Sequence, residues 1–190
     1  MSRFFASLAL GLFLLLSASC SPTAPPPRPE PVVGLDRLFE RLRSTDNPAE
    51  AQAIEAAIRH LWAKTGPQVA NTLMAHAMDA AHQGQHRIAL ALLDRVVMLA
   101  PSFPEGWAMR ASLHFLSDNP MAAVADLAHT LALEPRHFAA LASLGYIMVE
   151  MNEPKAALQA FELSLAVNPH QPDLMDQAKR LLRLTGGRLI

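Results

Sequence analysis

The sequence predicts an all-α chain built as a solenoid of stacked helical hairpins. The main observation is a period of 34 residues: Pro101, Pro135 and Pro169 each close a unit, after one apolar residue and one spacer. A fixed period of this length is typical of stacked repeats. The composition agrees, because 6% aromatic residues in a chain that is 51% apolar favour packed helices over a sheet sandwich.

The same step of 34 residues relates positions of one size class inside the units. The small positions are Ala77, Ala111 and Gly145, and Ala89, Ala123 and Ala157; the large positions are Leu73, Trp107 and Leu141, and Leu93, Leu127 and Phe161. Small residues let two helices approach to ~8–10 Å, and large residues fill the gaps beside them. Gly84, Asp118 and Asn152 form a third set, of types that tolerate the left-handed conformation ending a helix. Each unit is therefore predicted as helix, tight turn, helix and break.

This pattern resembles the tetratricopeptide repeat. The matching residues are Trp107, Ala111, Ala123 and Pro135 in the middle unit, and Leu141, Leu144, Gly145, Ala157, Phe161 and Pro169 in the last. The resemblance implies a right-handed α-solenoid with three full repeats between caps. It also implies a protein that binds other proteins and has neither catalytic residues nor a cofactor.

The periodicity sets the domain boundaries. Three units are predicted at residues 70–103, 104–137 and 138–171. Residues 35–69 are predicted to form a degenerate hairpin that caps the N-terminal end, with Asn47 as the N-cap of a helix that begins at Pro48. Residues 172–190 are predicted to form a C-terminal capping helix and tail, because Lys179 stands at a small-residue position of the units.

The N-terminal segment, residues 1–20, has the pattern of a secretory signal: an apolar run from Phe4 to Leu16, followed by small residues and Cys20, the only cysteine. Here the chain is similar to a bacterial lipoprotein precursor, which implies lipidation of Cys20. The alternative is cleavage by ordinary signal peptidase, since Ser17 stands where those precursors usually have leucine. The expected location is the periplasmic side of the outer membrane, through a lipid anchor, or otherwise the soluble periplasm.

Residues 21–34 contain six prolines and are predicted to be an extended tether between the anchor and the domain. The alternative for this stretch is a proline-rich ligand for an aromatic groove.

The resemblance places ligand contacts on the first helix of each unit, on the concave side of the solenoid. The positions it implies are Asn71, Met74, Met78, Glu105, Met109, Ser112, Ser143, Tyr146 and Glu150, together with the alanines at positions 75, 108, 139 and 142. The set is rich in Met and Ala and has no Lys or Arg, which favours an apolar or helical segment of another envelope protein as partner. The alternative is that the methionines pack inside the solenoid.

Other functional classes find less support. A net charge of -1 with no basic run argues against nucleic acid as a partner. His76 and His82 suggest a metal- or small-ligand-binding protein as a second hypothesis, but their helical spacing makes convergence on one ion poor. A third hypothesis is a structural subunit of a homo-oligomer. No phosphate loop, nucleophile motif or paired carboxylate indicates an enzyme.

Overall fold

The structure is a computed structural model that describes the backbone from Glu30 to Gly186 and the side chains from Gly34 onward. Within this range the chain is entirely helical, and none of its helices is long and apolar enough to span a bilayer. The helices are α1 Glu30–Ser44, α2 Pro48–Ala63, α3 Gln68–His82, α4 His86–Leu99, α5 Pro104–Leu116, α6 Pro120–Leu133, α7 Phe138–Glu150, α8 Pro154–Val167 and α9 Pro172–Thr185. The predicted signal peptide, Cys20, most of the predicted tether and residues 187–190 lie outside the described residues.

Three helical hairpins occupy the part of the chain assigned to the predicted units. Each hairpin is an antiparallel pair packed along its length: α3 with α4, α5 with α6, and α7 with α8. Successive pairs stack through contacts of α4 with α5, α6 with α7 and α8 with α9. Helices α5 and α7 begin at the predicted unit starts, residues 104 and 138, whereas α3 begins two residues before the predicted start at residue 70. The second helices α4, α6 and α8 begin 34 residues apart, at His86, Pro120 and Pro154. The all-α solenoid is therefore confirmed.

The turns inside the hairpins are set by three residues with positive φ. Gly84, Asp118 and Asn152 have φ of 73°, 58° and 59°, as predicted for these positions. After each of them a backbone N–H reaches back to a carbonyl five residues earlier, as from Asn119 to His114 at 2.9 Å. This bond satisfies a carbonyl at the helix end that would otherwise lack a donor.

Packing within each hairpin depends on the small positions. Ala111 and Ala123 are buried in one cluster with Leu127. In the last unit the small position is Gly145, and a Cβ there would lie 2.3 Å from the ring of Phe161. A glycine is therefore required where the neighbouring helix carries the larger phenylalanine.

The first helix begins earlier than predicted. The backbone is helical from Glu30, so the last residues of the predicted 21–34 tether belong to α1. Pro31 falls in the first turn, where its missing N–H and fixed φ are compatible with a helix. The prediction that the extended tether reaches residue 34 is therefore wrong.

The hairpin of α1 and α2 forms as predicted, but it does not stack on the first repeat. Its core of Phe39, Leu42, Ile58 and other apolar side chains also takes in Phe138 of α7, and among the described residues this cluster includes none from α3 or α4. The hairpin lies against the ends of the repeats at which α5, α7 and α9 begin. The expected N-terminal cap is thus a clasp along one edge of the solenoid.

Polar and aromatic contacts fix the hairpin at this edge. The ring of Trp62 stacks on His137 with centroids 4.4 Å apart. Arg136 donates to Asp36 at 2.5 Å and lies over the ring of Phe39. Further along the edge, the side chain of Asn168 donates to Glu55, and His170 bonds the carbonyl of Leu42. The hairpin therefore contacts the loops before both α7 and α9.

The outer face of α3 explains this arrangement. Positions that face the preceding unit are apolar in the later repeats, as at Leu113 and Ile147, which are buried. The equivalent residue in α3 is Asp79, and Thr72 stands where later units have Gly106 and Ala140. Asp79 and Thr72 are exposed. A hairpin stacked on this face would bury a charge without a partner, which is costly.

At the other end of the solenoid, helix α9 has a solvent-exposed face. Helix α9 buries Leu174, Ala178 and Leu181 against α8, while Lys179 is exposed and pairs with Asp176 in its own helix. A charged side chain at this position suits the last helix of a stack.

Substitution of Thr72 by leucine should change the free energy of unfolding by no more than ~0.5 kcal/mol, since Thr72 is exposed on that face of α3. Ala140→Leu is the matched variant two units on, and there the added atoms should overpack a buried contact and cost ~1–3 kcal/mol. Denaturant unfolding followed by circular dichroism gives both values. Equal losses in the two variants would mean that α3 is covered as α7 is.

Candidate functional site

The candidate site is the face formed by α3, α5 and α7, where α5 contacts both of its neighbours. The predicted positions along this face divide into two groups by exposure. Residues early in each helix are engaged in contacts within the chain, whereas Met78, Ser112 and Tyr146, one turn or more further along, are exposed. The groove is therefore open at the second halves of the three helices.

The closed end of the groove is held by internal bonds. Asn71 donates its amide to the carbonyl of Gly66 at 3.2 Å. Glu105 accepts from Nε2 of His137 at 3.2 Å, because the Nδ1 atom of that buried ring accepts the backbone N–H of Ala140. Ala139 packs against the core of the α1–α2 hairpin. One polar atom of Asn71 and one of Glu105 are therefore engaged within the chain.

The three predicted methionines have different environments. Met74 is only 8% exposed and belongs to the core of the first repeat. Met109 is half-buried against the same core, and Met78 is 46% exposed. Of the two interpretations that the sequence left open, core packing applies to Met74 and surface presentation applies to Met78.

Three adjoining cavities follow the open half of the groove. The middle cavity, of about 320 Å³, lies between α5 and α7 and is lined by Ser112, Phe115, Ser143 and Tyr146 among others. The first cavity, of about 220 Å³, lies between α3 and α5 and shares Ser112 with the middle one. The third cavity, of about 180 Å³, shares Tyr146 and extends to the start of α9. The cavities thus form one continuous surface across the repeats.

Sequence reasoning missed several residues that line the cavities. Leu116 is 69% exposed and borders both the first and the middle cavity, and His82 and His86 line the first cavity. Leu116 and His82 stand 34 and 68 residues before Glu150, respectively, which is one and two periods. The period itself could therefore have found His82 and Leu116 from the predicted Glu150, which is exposed on the same edge.

The groove has almost no charge. Among the described residues, neither lysine nor arginine lines any of the three cavities, and the carboxylate of Asp173 borders the third. The nearby Arg110 of α5 is engaged elsewhere, since it donates twice to Asp126 at 2.7 Å and once to Asp94 at 2.9 Å. Hydrogen bonding to Asp126 raises the pKa of the Arg110 guanidinium, so this group stays charged and committed to α6.

Histidines do not assemble a metal centre in the part of the chain that the structure describes. No group of three or more His, Cys, Asp or Glu side chains lies close enough there to hold an ion. His76 and His82 are both exposed on α3.

The chain was compared with known proteins. A TPR repeat-containing protein of Rhizobium etli is 33% identical over 155 residues, which cover 81% of this chain and 76% of the relative. This chain belongs to the tetratricopeptide repeat (TPR) family. No family model matches it. The TPR assignment agrees with the 34-residue period. The TPR fold is a protein-interaction fold.

Solved TPR structures share the fold at low sequence identity. The first TPR of Spaghetti (RPAP3) bound to the HSP90 peptide SRMEEVD has a TM-score of 0.60 and 18% identity, and the match covers 63% of this chain and 95% of that one. The MamA protein has a TM-score of 0.58 and 20% identity, with 83% of this chain and 84% of that chain covered. The Sgt2 TPR domain from Aspergillus fumigatus has a TM-score of 0.59 and 19% identity, with 64% and 82% covered.

Replacement of Arg110 by methionine should destabilise this TPR protein by ~3–5 kcal/mol, because Asp126 would remain buried without its partner. The control is Asp94→Asn. Its side chain is 62% exposed, so loss of that pair should cost ~1 kcal/mol or less. Thermal or denaturant unfolding measures both. A small effect of Arg110→Met would show that the α5–α6 pair does not depend on this ion pair.

Proposed function

We propose that this TPR protein is a non-catalytic adaptor of the bacterial cell envelope that binds an apolar helical segment of another envelope protein. The observation that carries the proposal is the row of three apolar cavities along α3, α5 and α7. A contiguous apolar surface of this kind, left exposed in one chain, indicates an interaction site. The cavity lining includes two methionines, leucines and one tyrosine, and methionine in particular adapts its shape to an apolar partner.

A helical partner is favoured over an extended one. An extended peptide needs donors and acceptors for its own backbone groups, whereas a helix satisfies them internally. In this groove Asn71 and Glu105 are already bonded within the chain, and the hydroxyl of Ser112 donates to the carbonyl of Ala108. The groove therefore offers apolar contact but few polar groups for a peptide backbone.

The spacing of the repeats fits a helix that crosses them. Neighbouring packed helices lie ~8–10 Å apart. Seven residues of an α-helix rise ~10 Å. A partner helix with one large apolar residue in every seventh position could therefore place successive side chains in the first, middle and third cavities.

The partner should not be an acidic peptide. The Spaghetti TPR is bound to a peptide of sequence SRMEEVD, which carries three acidic residues. Carboxylates of this kind are recognised through Lys or Arg. Here the cavities have no such residue among the described part of the chain, and Asp173 and Glu150 would repel an acidic ligand.

The experiment uses a photo-crosslinking amino acid at Ser112, which lies between the first and middle cavities, in the full-length protein in envelope membranes. The segment that it captures is then synthesised as a peptide, and its affinity is measured by fluorescence anisotropy. The variant Leu116→Glu/Tyr146→Glu should weaken binding at least about tenfold, because both side chains would bring charge into an apolar contact.

The matched control is Met98→Glu/Leu163→Glu. These side chains are exposed to a similar degree but line none of the three cavities. Binding by this control should equal that of the unmodified protein. An equal loss in both double variants, or a captured segment that is extended and acidic in the bound state, would contradict the proposed groove.

The envelope location is part of the same proposal and rests on the sequence of residues 1–20. A short apolar run that ends in small residues and Cys20 supports export and lipidation, with the outer membrane as destination. Residues 21–29 would then separate the TPR domain from the bilayer by a proline-rich spacer of ~3 Å per residue.

Cys20→Ser should abolish incorporation of labelled fatty acid and shift the protein out of the membrane fraction. The substitution removes the thiol that would carry the lipid and leaves the folded domain unchanged. Immunoblots of separated inner membrane, outer membrane and periplasm give the result. A protein that fractionates identically with and without this substitution would indicate ordinary signal peptidase cleavage.

A further inference from the structure

The two ends of the groove differ in their chemistry. Among the described residues, the titratable side chains other than Tyr146 that line its cavities are His82 and His86 in the first cavity and Asp173 in the third. The middle cavity is lined by apolar groups and hydroxyls. Charge and strong hydrogen-bonding groups are therefore confined to the two ends of the groove.

The 34-residue register shows the same polarity along one edge of the groove. His82 on α3, Leu116 on α5 and Glu150 on α7 occupy one register position, and all three are exposed. The edge thus runs from an imidazole, through an apolar side chain, to a carboxylate. Glu150 on α7 and Asp173 on α9 together make the later end of the groove acidic.

The polar side chains at the two ends are not used within the domain. In the part of the chain that the structure describes, the side chains of His82, His86 and Asp173 take part in no hydrogen bond or ion pair. Gln171, which also lines the third cavity, differs because its amide donates to the carbonyl of Asn168 at 2.8 Å. The two histidines and the aspartate are therefore available to a bound segment.

An α-helix has unsatisfied backbone groups only at its ends. Its first four N–H groups and its last four carbonyls have no partner within the helix. An aspartate accepts hydrogen bonds from the N–H groups of a first turn, and a histidine N–H donates to the carbonyls of a last turn. The groove offers an acceptor at one end and donors at the other, and it lacks charged groups in the middle, where a helix needs none.

We propose that the partner helix binds in one direction, with its N-terminus capped by Asp173 at the third cavity and its C-terminus by His82 and His86 at the first cavity. This inference rests on the proposed function and adds the direction and length of the bound segment. The helix macrodipole favours the same direction, because the positive end of the partner then lies at the acidic end of the groove.

The spacing of the cavities sets the length of the bound helix. Two steps of ~10 Å separate the first cavity from the third. A helix rises ~1.5 Å per residue, so ~14 residues span this distance. A helix of about four turns therefore places both of its ends at the polar groups, whereas a much longer helix would carry its ends beyond them.

The direction is tested with the full-length protein in envelope membranes. A photo-crosslinking amino acid is placed either at Met78, which lines the first cavity, or at Ala142, which lines the third. Mass spectrometry then identifies the residue of the captured segment to which each position is linked. We expect the residue linked to position 142 to lie N-terminal to the residue linked to position 78, by ~14 residues.

The capping groups are tested with the segment captured through Ser112, synthesised as a peptide. Asp173→Ala should weaken its binding at least about threefold, because the first turn of the helix loses its acceptor. The double variant His82→Ala/His86→Ala should weaken binding by a similar factor, because the last carbonyls lose their donors. Fluorescence anisotropy measures both affinities.

Matched controls remove the same side chains elsewhere on the same helices. Asp176→Ala on α9 and His76→Ala on α3 change exposed residues that line none of the three groove cavities. Both controls should bind the peptide as the unmodified protein does. Losses in the controls equal to those in Asp173→Ala and the histidine double variant would overturn the assignment of the caps.

The remaining outcomes separate this inference from the proposed function. A segment that is captured at both positions but in the reverse order would overturn the direction and leave the proposed binding in place. Failure to capture a segment at either position would remove the proposed function and this inference together. Unchanged affinity in both Asp173→Ala and the histidine double variant would overturn the capping even if the order is the expected one.

Discussion

Each repeat closes because a small residue on its first helix meets a large residue on its second. In the last unit both members change together: Gly145 replaces alanine where Phe161 replaces leucine, and a Cβ on the glycine would overlap the ring. The summed volume of the pair is nearly kept, because the second helix gains about as much volume as the first helix loses. Every later feature of the solenoid, including the spacing of the cavities, depends on this close approach of the two helices.

The ordered repeats follow from short-range signals, which is why the sequence predicts them well. Proline, glycine, Asp118 and Asn152 each act on their own backbone, and their effect does not depend on distant residues. The start of α1 was missed because a proline excludes the interior of a helix but not its first turn. Local conformational preferences therefore explain both the correct prediction of the repeats and the wrong prediction for the start of α1.

The placement of the α1–α2 hairpin is a different kind of question. An apolar helix face predicts that the face is buried, but it does not predict which other element covers it. The answer lay in other parts of the chain, in the polar residues Thr72 and Asp79 on α3 and in the apolar Phe138 at the start of α7. The same holds for the candidate groove. The 34-residue register predicted which helix face forms it, but the burial of Met74 and the exposure of Leu116 depend on neighbouring units.

The α1–α2 hairpin contacts two successive loops of the solenoid, with Trp62 stacked on His137 and the carbonyl of Leu42 bonded to His170. The hairpin therefore fits a solenoid of one particular length. Stacked arrays commonly gain or lose whole units by duplication, since each unit contacts only its neighbours. In this chain an added unit would move His170 away from Leu42 and leave the clasp mismatched. The number of repeats is thereby fixed by an element that is not itself part of the array.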